Sequence, residues 1–283
     1  MLLKEIKNIF HKELDQIYTK EEVSSFFYML IEHYLNLERF ILAIAPDLII
    51  SKENEQPLFE ALADLKLQKP IQYSIGQAHF MDMDFVVNKN VLIPRPETEE
   101  LVRWIIKKSQ LRYGKALKIL DIGTGSGCIA VCLVKNIPNA KVYALDVSDK
   151  ALQVAKQNAF KNEVEIDFIA ADILSTKSLE VSFDIIVSNP PYVRELEKKE
   201  MTANVLDYEP DEALFVSDDN PLVFYKKITE FAVKNLAKEG ELFFEINQYL
   251  AKETVRLIES NHFSKVELRK DMFGNDRMIY SKI

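Results

Sequence analysis

The sequence predicts an α/β protein, a doubly wound, mostly parallel sheet of seven strands preceded by a small helical domain and a β-hairpin linker. Three observations carry that expectation. From Pro94 onward, short apolar runs alternate with segments of helical period. A glycine-rich turn, LDIGTGSGCIA at 120–130, follows the first of those runs. Before residue 70 the apolar residues recur at helical spacing only.

The elements follow in order. Thr19 and Glu22 have capping-box spacing, and Val23, Phe26, Phe27, Leu30, Ile31 and Tyr34 then share one helical face. Pro46 closes the next segment, LERFILAIA, and a further helix is expected through PLFEALADLKLQ with Pro57 in its first turn. Residues 71–93 change texture: apolar and aromatic runs separated by Gly76, by Asp82 with Asp84, and by Asn88-Lys89-Asn90 read as the hairpin linker. Beyond it, strands are expected at 116–121, 141–146, 165–170, 183–188, 241–246, 264–269 and 277–282. The intervening helices are placed at 128–136, 149–161 with an Asp cap, 221–238 and 249–260.

Composition bounds the function. The 283 residues suffice for one large domain or two smaller ones, and 48% hydrophobic with 28% charged residues suits a globular chain. No apolar stretch is long enough to span a bilayer, and the N-terminus has no secretory cleavage pattern, so a cytoplasmic protein is expected. The formal net charge of −8 disfavours a protein that grips long nucleic acids. The first 70 residues are acidic too, with 8 Lys or Arg against 12 Asp or Glu. Cys128 and Cys132 are too few for a disulfide framework or zinc site and read as small buried side chains. The four histidines are scattered and receive no chemistry.

The glycine turn is more specific. Gly123, Gly125 and Gly127, with Thr124 and Ser126 between them, let the backbone pass close under a ligand before the next helix. The dinucleotide fingerprint needs its third glycine one place later, where Cys128 stands, so the spacing suits a nucleoside without a pyrophosphate. Asp146 closes the second strand, where a carboxylate can accept both ribose hydroxyls. Asp172 ends the third strand in the same row, within reach of an adenine amino group. A fourth strand, FDIIVS, runs into Asn189-Pro190-Pro191-Tyr192. Together DIGTGSG, Asp146, Asp172 and NPPY resemble the class I S-adenosylmethionine-dependent methyltransferases over residues 94–283.

That resemblance gives NPPY a task. Its target is a planar nitrogen whose lone pair is delocalised, which makes it a poor nucleophile. The Asn189 side-chain oxygen and the Pro190 carbonyl can accept the two hydrogens of such an NH2 group, and so stabilise charge as a methyl arrives. Proline's fixed φ keeps that carbonyl aimed outward, and Tyr192 offers a flat face.

Further segments narrow the target. NVLIPRPETEELV at 90–102, KPIQYSIG at 69–76, YEPDEAL at 208–214 and DMFGNDRMIY at 271–280 resemble the glutamine methyltransferases of bacterial peptide-chain release factors. The resemblance implies N5-methylation of the glutamine in the Gly-Gly-Gln loop of class I release factors, with S-adenosylmethionine as donor. It implies a helical docking domain at 1–70, the linker at 71–93 and the methyltransferase domain at 94–283. It places Gly123 to Gly127, Asp146 and Asn189 on the cofactor, Ile173 near the adenine beside Asp172, and Asn189 to Tyr192 around the glutamine. A monomer acting without direct nucleic-acid contact is the expected state. Glu97 and Thr98 read as helix caps. Glu209-Pro210 can shape the substrate pocket. The rival readings are a nucleic-acid amino-methyltransferase and a non-catalytic cofactor-binding adaptor.

Overall fold

The computed structural model describes residues 1–111 and 116–283, and the chain divides into two units, 1–77 with 202–208, and 78–201 with 209–283. Among the described residues no helix is long and apolar enough to cross a membrane.

The first unit is helical, with helices Leu3–Leu14, Lys20–Leu35 and Lys52–Lys66 and the short turns Ile41–Ile44 and Ile71–Ile75. Thr19 and Glu22 form the capping box that their spacing specifies: the Glu22 N–H donates to Thr19 Oγ1, and the Thr19 N–H donates to Glu22. Phe10 and Phe27 meet edge to face at 5.5 Å inside a core that includes Leu3, Ile6, Leu14, Val23, Leu30 and Leu58. Two expectations are corrected here. Ser51 caps the third long helix by accepting from the Asn54 N–H, so that helix opens at Lys52 and Pro57 lies past its first turn. Residues 71–75, expected in the hairpin linker, form a helical turn ended by Gly76 at φ +71°, the left-handed geometry glycine adopts freely. Tyr208, from the long loop of the sequence, donates its hydroxyl to the Leu67 carbonyl at 2.8 Å within this same unit.

The hairpin itself comprises β1 (Gln77–Phe80) and β2 (Met83–Val86). The second unit then alternates as the sequence predicts. Its strands are β3 (Lys118–Ile122), β4 (Lys141–Asp146), β5 (Asp167–Ala170) and β6 (Phe183–Ser188). A two-residue pair, β7 (Val193–Arg194) and β8 (Phe215–Val216), lies in the long loop, and β9 (Leu236–Glu245), β10 (Ser264–Lys270) and β11 (Asp276–Lys282) complete the set. The seven-stranded sheet has the order β10-β11-β9-β6-β3-β4-β5. Its pairs from β9 to β5 are parallel, and β11 is antiparallel to both neighbours.

Alternation along the strands explains the two-sided core. Ile119, Val142, Ala144, Ile185 and Val187 belong to one apolar cluster, and Leu120, Ile122, Tyr143, Leu145 and Ile186 to the other. Both sheet faces are therefore buried under helices, as parallel sheets require. The helix Cys128–Asn136 falls where the sequence places it, whereas helix Asp149–Lys161 is capped by Ser148 rather than Asp149. The Ser148 hydroxyl accepts from the Ala151 N–H at 3.2 Å, one turn ahead, which leaves Asp149 to complement the helix dipole.

A buried amide ties hairpin, helix and glycine turn together. Asn158, fully buried, accepts from the Val86 N–H at 2.6 Å and donates to the Val86 and Ser126 carbonyls at 2.9 and 2.8 Å. Replacing it removes the partner of three backbone groups, of which the Ser126 carbonyl is buried. Asn158→Ala is expected to lower stability by roughly 2–4 kcal/mol, measured by urea unfolding. A loss below about 0.5 kcal/mol would show that water substitutes for the amide.

Candidate active site

Parallel register brings the site together. Ile122 pairs with Leu145 on one side and Ser188 on the other, Asp146 pairs with Ala170, and Ser188 with Phe244. The residues that follow these strand ends therefore emerge side by side at the carboxyl edge of the sheet. There they line a cavity of about 330 Å³, a size suited to a small-molecule ligand. Its wall includes Gly123, Thr124, Gly125, Ser126, Asp146, Asp172, Ile173, Asn189, Pro190 and Pro191.

The glycine turn owes its shape to backbone conformation and packing. Gly123, Gly125 and Gly127 all have positive φ, at 73°, 54° and 78°. A side chain at Gly123 or Gly125 would project into open space, and one at Gly127 would press on Ala155 Cβ at 3.1 Å. Gly127 thus sets how closely the turn sits on helix Asp149–Lys161, while its neighbours keep the floor of the cavity clear.

Two aspartates hold this turn. Asp146 accepts from the Gly125 and Ser148 N–H groups, each at 2.9 Å, one on each carboxylate oxygen. Every oxygen keeps a second lone pair for a ligand hydroxyl. Burial raises the Asp146 pKa, against the Ser148, Gly125 and Val147 N–H groups that favour its ionised form. Asp121, one residue before β3 ends, is fully buried beneath the turn and accepts from Thr124 Oγ1 at 2.6 Å. Its other oxygen makes no hydrogen bond of normal geometry, although the Ala130 N–H favours its ionised form. Burial pushes the Asp121 pKa from 3.8 up to about 7. Asp172 accepts from the Leu174 N–H at 2.8 Å and so shapes the loop that carries Ile173 to the wall. Cys128 and Cys132 are buried, and burial pushes the Cys128 thiol up to about 12, which leaves it an inert packing group.

The NPPY segment divides its residues between cavity and interior. Asn189, Pro190 and Pro191 face the cavity, whereas Tyr192, half-buried, packs against the apolar cluster and is absent from the lining. The Tyr192 hydroxyl donates to Glu245 Oε1 at 3.1 Å, and its carbonyl accepts from Asn247 Nδ2 at 2.9 Å. The hydroxyl is thus turned inward, and the ring expected to offer a flat face to the substrate is not part of the cavity wall. Sequence reasoning also missed what lies behind Asn189. Its Nδ2 donates to Thr98 Oγ1 at 3.2 Å, and Thr98 donates to the buried Glu245 Oε2 at 2.7 Å. Thr98 is therefore not a helix cap: Arg95 occupies that place, Pro96 opens the helix Pro96–Ser109, and the hydroxyl turns inward.

The rest of the PRPETE segment is pinned from the long loop. Glu209, its side chain 1% exposed, accepts from Arg95 Nη2 at 2.6 Å and from the Ile93 N–H at 3.2 Å. Pro94, Arg95 and Pro210 consequently stand on the cavity wall. Their separation in sequence by more than a hundred residues hides that pairing from any local pattern.

The chain is 55% identical to the release factor glutamine methyltransferase of Flavobacterium psychrophilum, across 99% of this chain and 98% of that protein. The chain belongs to the release factor glutamine methyltransferase family. The Bacteroides thetaiotaomicron member is 43% identical over 95% of each chain, and the family model for the methyltransferase small domain matches residues 101–215. Among solved structures, the hMettl16 catalytic domain is similar in fold, with TM-score 0.53 and 16% identity across 80% of this chain and 81% of that one. A methyltransferase from Pyrococcus furiosus covers 82% of this family member and 98% of its own chain, at TM-score 0.50 and 19% identity.

The buried Asp121 gives a pH signature. A carboxyl whose pKa is raised on folding binds its proton more tightly in the folded state, so stability falls as pH rises from about 4 to about 7 and then levels. Asp121→Asn is expected to flatten part of that slope and to be more stable than the wild type above neutrality by a few kcal/mol, read by thermal unfolding across pH. An unchanged slope would mean that Asp121 stays ionised throughout.

Proposed function

We propose that this protein transfers a methyl group from S-adenosylmethionine to the side-chain N5 of the glutamine in the Gly-Gly-Gln loop of class I peptide-chain release factors, and so modulates translation termination. The observation that carries this reading is a shared cavity: Asn189 and Pro190 line the same wall as the glycine turn and Asp146. Amide clamp and nucleoside-binding edge therefore face one space, as methyl transfer between two bound molecules requires.

The residues fit the donor. Gly123 and Gly125 leave room for close approach, Asp146 keeps lone pairs for ribose hydroxyls, and Ile173 with Asp172 borders the adenine end. Asp121, beneath the turn, holds the Thr124 hydroxyl and so fixes a residue of that wall. When bound, the donor supplies a methyl group on a sulfonium, which leaves as a thioether without acid assistance.

The chain's own task is orientation. The Asn189 Oδ1 and the Pro190 carbonyl accept the two amide hydrogens, turning the nitrogen lone pair toward the methyl carbon. The N–C bond forms as the S–C bond breaks, and the nitrogen then loses one proton to solvent. Tyr192 anchors the segment through its hydroxyl and carbonyl, holding the Pro190 carbonyl in place. The acidic helical unit serves as the docking module for the protein substrate. A cytoplasmic monomer that needs no nucleic-acid contact completes the reading, in keeping with the net charge of −8.

Purified protein is expected to move labelled methyl from S-adenosylmethionine to a release factor, with mass spectrometry placing one added methylene on the loop glutamine. A Gln→Ala factor should accept none. Preferential transfer to RNA or DNA offered alongside would overturn the reading. Asn189→Ala is expected to lower kcat by roughly 10²–10³ with donor affinity within a few-fold, because the lost contacts strengthen only as charge develops. An equal loss of donor affinity would mean that Asn189 acts mainly on the cofactor.

A further inference from the structure

We infer that Thr98 and Glu245 are positioning residues that fix which end of the Asn189 amide faces the substrate. The inference rests on the reading above, in which Asn189 must present its oxygen. A side-chain amide has a donor end and an acceptor end of nearly equal size, and a half-turn exchanges them. With the donor end outward, Asn189 would meet the substrate NH2 with its own NH2, and the clamp would repel its target. Something must break the tie.

Burial raises the Glu245 pKa, while the Thr98 and Tyr192 donors and the Arg277 charge favour its ionised form. With Glu245 ionised, the hydrogen bonds around it have one consistent direction. Arg277 can only donate, and its Nη1 donates to Tyr192 Oη at 3.3 Å while its Nε is held by Asp271 at 3.0 Å. Tyr192 accepts there, so its single proton goes to Glu245 Oε1 at 3.1 Å. The second carboxylate oxygen takes the Thr98 proton at 2.7 Å. Glu245 is 1% exposed, so its carboxylate depends on these protein donors rather than on bulk solvent. With its one proton committed to a carboxylate, Thr98 Oγ1 can act toward Asn189 only as an acceptor. It therefore selects Nδ2, at 3.2 Å, and leaves Oδ1 turned away from Thr98. The polarity runs from Arg277 through Tyr192 into Glu245, and from Asn189 through Thr98 into the same carboxylate.

This gives the threonine of PRPETE a duty no capping argument supplies. A serine would preserve it, since it also offers one proton and one acceptor. A valine of the same shape would not. Glutamine at 245 would defeat it differently: its NH2 can donate to Thr98 Oγ1, which frees the threonine proton for the Asn189 oxygen and favours the wrong end.

The test measures kcat with a release factor as substrate, affinity for S-adenosylmethionine by calorimetry, and the thermal midpoint for each variant. Thr98→Val is expected to lower kcat about tenfold or more with donor Kd within about twofold, and Thr98→Ser to recover most of that loss. Glu245→Gln should show the same kcat-only loss, which keeps the test decisive if the valine variant folds poorly. The discriminating measurement is the double-mutant cycle: in an Asn189→Ala background Thr98→Val should cost less than about twofold, because the group it orients is gone. If Thr98→Val and Glu245→Gln both leave kcat within about twofold of wild type, or if the valine loss persists undiminished beside Asn189→Ala, the inference is overturned. If Asn189→Ala alone turns over like the wild type, the amide-clamp reading itself fails.

Discussion

Parallel pairing of β3 with β4 and with β6 is the constraint from which the rest of the site follows. A parallel ladder fixes which residues lie level across neighbouring strands, and here it levels Ile122, Leu145 and Ser188. What leaves the sheet just beyond them must share one edge. The glycine turn, Asp146 and Asn189 come from three strands far apart in sequence, yet the register permits them no other neighbours. The Ser188 hydroxyl reinforces that alignment by donating to the Ile122 carbonyl at 2.7 Å.

Beneath that edge the protein keeps several polar groups where apolar ones would be easier to bury. Asp121, Asn158, Glu209 and Glu245 all lie inside the second unit. Each is expensive to desolvate and is held by specific donors, apart from the one Asp121 oxygen that makes no hydrogen bond of normal geometry. Their common property is location: they brace the loops around the cavity rather than the centre of the sheet. A hydrophobic core fills space without fixing the direction of a neighbouring amide, whereas a hydrogen-bonded carboxylate does both. The cost in stability is consistent with a catalytic edge that must hold its geometry before the substrate arrives.

Local signals were legible wherever the cause is local. The Thr19 capping box, the helix Cys128–Asn136 and the strands at 141–146 and 183–188 follow from capping chemistry and apolar period, and they stand where the sequence places them. Misreadings arose where two local signals competed. Pro57 resembles a helix start, but the Ser51 hydroxyl captures the Asn54 N–H and begins the helix earlier. Asp149 resembles a cap, but Ser148 stands one residue closer to the required geometry. Residues 71–75 carry apolar residues at a spacing that a single turn of helix satisfies as well as a strand does.

The sequence by itself determined the alternating architecture, the glycine turn, the acidic strand ends and the NPPY segment, because each depends on residues within a few positions of one another. Only the tertiary structure decided that Tyr192 turns inward, that Thr98 reaches Asn189 and Glu245 rather than capping its helix, and that Glu209 pins Arg95. Those outcomes depend on partners separated by 53 to 147 positions along the chain. A side chain that is a good cap or a good stacking surface in isolation goes instead to whichever buried charge most needs a donor, and that is settled when the chain has folded.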